Sequence, residues 1–314
     1  MSLISIKEVI FLIVSSVFSP SAPLDCACLS QCVQEIRERF PFVQTERVGR
    51  SLLGRPILVL SVGGTHAPVL IAAAFHGMEW ITGWIALRFF ADFCLAMERD
   101  DPVCGIPARD FLREHGVFVL PCANPDGVEI QIHGPASAGR FSPLVERVDG
   151  GDPSRWQANA RGVDLNHNFD ANWLRLRRME REAGINGPAP TQFGGRFPES
   201  EPESACLASF CRRRGFLRAA ALHTQGWEIY YRYGRHTPPE SPEIARRMAE
   251  AGCCTLGDPQ GLASMGGFKD WFIDCFRRPG FTLELGEGRN PLPLSDAPEI
   301  YRRTQPMLLE FLRR

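Results

Sequence analysis

This 314-residue sequence has no long basic block, and neither an internal repeat nor a long low-complexity tract interrupts it. Lysine plus arginine number 35 against 36 for aspartate plus glutamate, a formal net charge of -1. That balance argues against nucleic acid and anionic membrane surfaces as partners. Long hydrophobic runs are scarce as well. The apolar segment 9–18 is too short to span a bilayer as a helix, and its single leading Lys7 is offset by Glu8. It resembles a secretion signal only weakly. The cysteines, 11 in all, are odd in number and scattered, with Cys26, Cys28 and Cys32 near the start and Cys253 beside Cys254. Such a pattern reads as reduced thiols rather than a disulfide framework. It favours a cytoplasmic protein; a functional signal would instead place the chain outside or in the cell envelope. Cys26 and Cys28 could hold a metal, but no matching second pair follows them.

What is present suits one enzyme domain. Hydrophobic residues make up 44% of the chain, enough to bury a large core at this length. Apolar runs at 56–62, 69–75, 116–120, 217–222, 227–233 and 280–285 read as strands. Amphipathic segments at 29–40, 79–97, 201–213, 242–252, 268–276 and 298–312 read as helices. Their alternation predicts an α/β fold, a mixed and largely parallel twisted sheet with helices on both faces. We expect an N-terminal extension over 1–25 and one catalytic domain over 26–314. Ser200-Glu-Pro-Glu203 reads as a capping box at a helix start. The Gly, Pro, Ser and Arg-rich segment 133–156 reads as an insertion at the rim of a site.

The chemistry begins at His76-Gly-Met-Glu79, at the end of the run 69–75. A strand that ends in a tight turn can aim an imidazole and a carboxylate at one point, as two zinc ligands require. A strand-end His bonded to a nearby Glu is the plainer reading of this pair taken alone. A catalytic zinc takes three protein ligands, and the run 217–222 supplies another strand that ends in His223. Of the 7 histidines, His66, His115, His133 and His236 have polar or turn-rich neighbours and read as solvated. Zinc chemistry also needs a base that is not a ligand, and Glu284 places a carboxylate inside the apolar run 280–285. A charge there is costly to desolvate unless it is used, although an edge-strand Glu facing water is the alternative.

Together, His76-x-x-Glu79, His223, Pro121-Cys-Ala-Asn-Pro-Asp-Gly127, Gly162-Val-Asp-Leu-Asn-His-Asn-Phe169 and Phe281-Thr-Leu-Glu284 resemble the zinc carboxypeptidases of the carboxypeptidase A type. The resemblance runs from about Cys28 to the C-terminus. Within that family, the segments around Glu79–Thr82, Trp156–Asn166, Pro198–Glu203 and Asn290–Pro293 look most like bacterial peptidases that cut the γ-D-glutamyl-diaminopimelate bond of cell-wall peptides. The resemblance implies one zinc held by His76, Glu79 and His223, with Glu284 as general base. It implies that Asp164 orients the first zinc-binding His, although Asp164 could instead cap a turn after Gly162. It also implies that Asn166 and His167 stand where family members grip a terminal carboxylate with Asn and Arg. A neutral, shorter His weakens that grip. The family's oxyanion Arg aligns near Gln157, which leaves Arg161 as the substitute. The substrate-covering Tyr aligns near Leu262, and no Tyr occurs from Gly234 to Gly288. Lys269 aligns with the base of the pocket for the residue after the cut bond, where it would select an acidic side chain; the alternative is a Lys that snorkels to solvent.

Three functions follow from these readings. The first is a zinc peptidase acting on γ-D-glutamyl-diaminopimelate peptides. The second is a general metallocarboxypeptidase on ordinary peptides, and the third a non-catalytic binding protein on the same fold.

Overall fold

A computed structural model describes residues 22–64 and 66–313. The signal-like segment 9–18 lies outside the described residues. Strands β1 (Gln44–Arg50), β2 (Pro56–Gly63), β3 (Val69–Ala73), β6 (Gly116–Leu120), β7 (Arg218–His223), β8 (Glu228–Tyr230), β9 (Thr255–Leu256) and β10 (Gly280–Glu284) form one sheet, while β4 (Pro102–Val103) and β5 (Ile106–Pro107) form a small hairpin. The sheet order is β1-β2-β6-β3-β7-β10-β8-β9. Its centre, β6-β3-β7-β10, runs parallel, and antiparallel pairs flank it on both sides. The expected mixed, largely parallel sheet is therefore present.

The central strands are apolar throughout because both of their faces are covered. Along β3, Val69, Ile71 and Ala73 face one core, shared with α1 (Cys26–Arg39), α2 (Ile81–Arg99), α8 (Ser241–Gly252) and α10 (Ala297–Leu312). Leu70 and Ala72 face the other, shared with α7 (Pro202–Arg214) and α9 (Phe268–Phe276). The two-residue alternation of a strand divides one sequence between two cores. The segment Gly77–Arg99 is long and apolar enough to cross a membrane by length and composition, but most of it is buried inside this fold.

Several expectations change. Strand β1 and helices α3 (Ala108–Glu114), α4 (Pro125–His133), α5 (Ser142–Val148) and α6 (Trp173–Glu182) were not legible. β1 is a polar edge strand with no buried residue, so it carries no apolar signature. The segment 133–156 is largely helical, and it packs Ala138 and Val145 into a satellite core with Trp156 instead of lining the site. No capping box forms at α7. Glu203 turns instead to the Leu52 amide (2.9 Å), and the Glu201 amide at the helix start donates to Asn168 Oδ1 (3.2 Å). Tertiary partners outbid the local ones. His115 is buried against Phe111, not solvated. All of the cysteines are free.

Candidate active site

Three neighbouring parallel strands, β3, β7 and β10, end at the same level, and the candidate residues sit at or just past their C-terminal ends, where α/β sheets place their sites. His223 is the last residue of β7 and Glu284 the last of β10, and the two are register partners. Past β3 the chain turns through Ala74, whose φ of 49° lies in the left-handed region, a costly conformation for a residue with a Cβ. The turn is pinned by the Thr82 hydroxyl, which accepts from the Ala74 amide (2.9 Å) and donates to the Glu79 carbonyl (2.8 Å). Gly77 is required between His76 and Glu79. A Cβ there would lie 2.3 Å from the Gly127 carbonyl oxygen and 2.8 Å from that of Trp156.

Glu79 lies between the two imidazoles. Its Oε1 is 2.9 Å from His76 Nδ1 and its Oε2 is 3.0 Å from His223 Nδ1, and all three potential ligand atoms lie within 4.8 Å of one another. His76 Nε2 donates to Asp164 Oδ1 at 3.1 Å. With the proton held on that nitrogen, Nδ1 keeps its lone pair for a metal, so the donor set fits one zinc ion. Asp164 performs both roles considered for it, since it also accepts from the Asn166 and Gln192 amides at 3.0 and 2.9 Å. His223 is held differently. It stacks on Phe75 with centroids 5.3 Å apart, and its Nε2 is buried without a partner.

The electrostatics separate the two glutamates. Burial alone would raise Glu79, but His76 and His223 outweigh it and bring its pKa down to about 2. Glu284 has no such partners. Burial, and then the charge of Glu79, push it up to about 8. Carboxylates driven apart in this way suit different tasks, one as a permanent anion and the other as a group that can take up and hand on a proton near neutral pH. Around His76, burial lowers the proton affinity of the ring, but Glu79 and Asp164 more than reverse it. A negative field of this kind favours a cation at the three-atom focus.

A cavity of about 220 Å³ opens over these residues and is lined also by Asn166, His167, Lys269 and Gln157. Asn166 Oδ1 accepts from the Phe268 amide at 2.9 Å. His167 Nδ1 donates to Glu180 Oε1 at 3.0 Å, and Glu180 is in turn paired with Arg177. Burial lowers the His167 pKa, so the ring is neutral with Nε2 left as an acceptor. Lys269 does not snorkel to solvent. It is 4% exposed, and its Nζ donates to the Arg232 carbonyl (2.7 Å) and pairs with Asp270. Arg161 is the candidate that the fold does not bring in. Its guanidinium bonds to Glu201 at 3.4 Å, and it does not line the cavity.

Sequence reasoning missed Glu180, Arg177, Asp270 and Tyr230. Glu180 and Arg177 belong to a charged run that looks like any solvated helix, whereas Asp270 stood beside Lys269 in an apolar helix and was a usable signal. Tyr230 lines the cavity from β8, but its hydroxyl donates to Glu228 at 2.7 Å. A second possible metal-binding group, Asp25, Glu129 and His133, lies at the start of α1, where the carboxylates already accept from the Cys28 and Cys26 amides.

Known proteins agree with this geometry. Residues 29–306 match the zinc carboxypeptidase family model. The chain is 34% identical over 281 residues to gamma-D-glutamyl-L-diamino acid endopeptidase 1 of Lysinibacillus sphaericus, covering 88% of this chain and 69% of that protein. It is 26% identical over 270 residues to carboxypeptidase B of Bos taurus, covering 80% and 60%. Bovine thrombin-activatable fibrinolysis inhibitor, solved in complex with tick carboxypeptidase inhibitor, has the same fold, with a TM-score of 0.70 at 21% identity over 93% of this chain and 96% of that one. The chain belongs to the zinc carboxypeptidase family and is a zinc-dependent peptidase.

Proposed function

We propose that residues 26–314 form the catalytic unit of a peptidase that hydrolyses the γ-D-glutamyl bond to a diamino acid in acidic cell-wall peptides. His76, Glu79 and His223 would hold the zinc, which when bound would supply a polarised scissile carbonyl and a water of lowered pKa. Glu284 takes the proton from the attacking water and delivers it to the departing nitrogen. It makes no hydrogen bond to a described residue, so both of its oxygens are free for that transfer. Asp164 fixes the tautomer of His76. Asn166, whose carbonyl oxygen is occupied by Phe268, presents its amide N–H groups to the substrate.

The observation that carries the substrate assignment is His167. Where ordinary carboxypeptidase action calls for a cation against a terminal carboxylate, this chain has a neutral ring whose remaining nitrogen is an acceptor. Such a group meets an N–H rather than an anion, and it leaves room for a chain that continues past the cut bond. The 34% identity to an endopeptidase named for γ-D-glutamyl-diamino acid bonds supports the same reading, whereas the ammonium of Lys269 is already taken by Asp270 and the Arg232 carbonyl.

The test is mass spectrometry of products after incubation of the zinc-loaded protein with a γ-D-glutamyl-diaminopimelate tripeptide, with and without chelator. Chelator-sensitive cleavage between the two residues is expected. Trimming of ordinary L-peptides while the tripeptide stays intact would replace this reading with general carboxypeptidase action.

A further inference from the structure

The segment 258–265 separates the catalytic cavity from a second, larger one of about 660 Å³, and Pro259 lines both. The wall of the second cavity carries Arg175, Arg232 and Arg235, all with exposed side chains. Among the described residues none of these guanidiniums has a carboxylate partner. Arg232 Nε donates to the Tyr231 hydroxyl (3.1 Å) and Arg235 Nε to His236 Nε2 (3.3 Å).

Several exposed arginines elsewhere on the molecule do pair with a carboxylate. Arg39 pairs with Glu98, Arg212 with Glu199, Arg246 with Glu243 and Arg302 with Glu299. The cavity holds two carboxylates of its own. Asp274 is engaged by His236 Nδ1 (2.5 Å) and by Arg277 (2.8 Å) from outside the cavity, which leaves Asp258 alone against three guanidiniums. A concave wall with an excess of one sign concentrates ligands of the other. The two cavities also meet through Arg232, whose carbonyl accepts from Lys269 Nζ while the residue lines the second cavity.

We propose that this second cavity is an anion subsite of the peptidase, in which the three arginines hold a free carboxylate of the acidic peptide on the leaving side of the cut bond. The inference rests on the acidic-peptide reading above and extends it past Pro259. Guanidinium matches carboxylate as a planar two-point fork. The neutral His167 does not stop the chain before it reaches the subsite.

The test uses the zinc-loaded protein and two substrates that share the same γ-D-glutamyl-diamino acid bond, one with the distal carboxylate of the diamino acid free and one with it amidated. The readout is the ratio of their kcat/KM values. Wild-type protein prefers the free carboxylate. Arg175→Gln and Arg235→Gln each lower that ratio about two- to fivefold, the scale of one exposed ion pair, and Arg175→Glu lowers it further. A general loss of folding moves both substrates together and not their ratio. If the ratio is the same in wild type and all three variants, the subsite is overturned while the catalytic reading stands. If wild type cuts neither substrate, both fall.

Discussion

The two cavities on either side of Pro259 treat charge in opposite ways. In the catalytic cavity the polar and ionic groups are buried or half-buried, and all but Glu284 are answered by a fixed neighbour: Glu79 by two imidazoles, Asp164 by His76, His167 by Glu180, and Lys269 by Asp270. In the arginine cavity the guanidiniums are exposed and have no carboxylate partner among the described residues. Buried groups fix geometry and are worth much when lost. Exposed ones attract and select, each for little.

The largest effect should come from Glu284, the carboxylate of the catalytic cavity left without a hydrogen-bond partner among the described residues. Glu284→Gln should lower kcat by about 10³-fold while stoichiometric zinc is retained, as measured by metal analysis beside kinetics. Zinc lost along with activity would make Glu284 a ligand rather than a base. Next in size is the support of His76. Asp164→Asn should weaken zinc affinity by about 10- to 100-fold, read by competition with a chelator. An unchanged affinity would reduce Asp164 to a turn cap.

The pair at the cavity wall comes third. Lys269→Met leaves Asp270 buried without its cation and should cost about 3 kcal/mol of stability. Adding Asp270→Asn should restore much of that loss in a denaturant titration. No recovery would mean that the lysine stem, and not its charge, is what matters.

Away from both cavities, burial pushes Glu203 up to about 7, well above the usual carboxylate range. The folded state therefore holds a proton that the unfolded chain releases near its ordinary value. This contribution is complete below about pH 4.5 and is lost as pH rises through about 7. Glu203→Gln should accordingly flatten the decline in Tm between pH 5 and 8, by about 5 °C at the upper end. The smallest effects are those of single arginines in the outer cavity, and only a substrate pair differing in one carboxylate will resolve them.

Much of the fold was legible because buried strands and amphipathic helices must repeat at the periods of their own geometry. Helix α9 and strand β6 appear with the expected bounds. β1 and α6 were not legible, since exposed edges and charged helices carry no apolar period. The convergence of the candidate metal-binding trio and Glu284 on one cavity could be read as well. A polar residue at the end of an apolar strand is costly unless it serves a site, and that cost shows in one dimension.

The residue types and their places at strand ends were thus set by the chain alone: two imidazoles, two acids and a neutral ring at position 167. Tertiary structure alone decided which charges answer one another. Glu180 reaches His167, Glu201 draws Arg161 away from the cavity, and Asp270 takes the ammonium of Lys269. It also left three arginines without a carboxylate partner, among the described residues, around one hollow. Electrostatic energy depends on distance and burial, and neither is written in the order of residues until the sheet brings distant segments together.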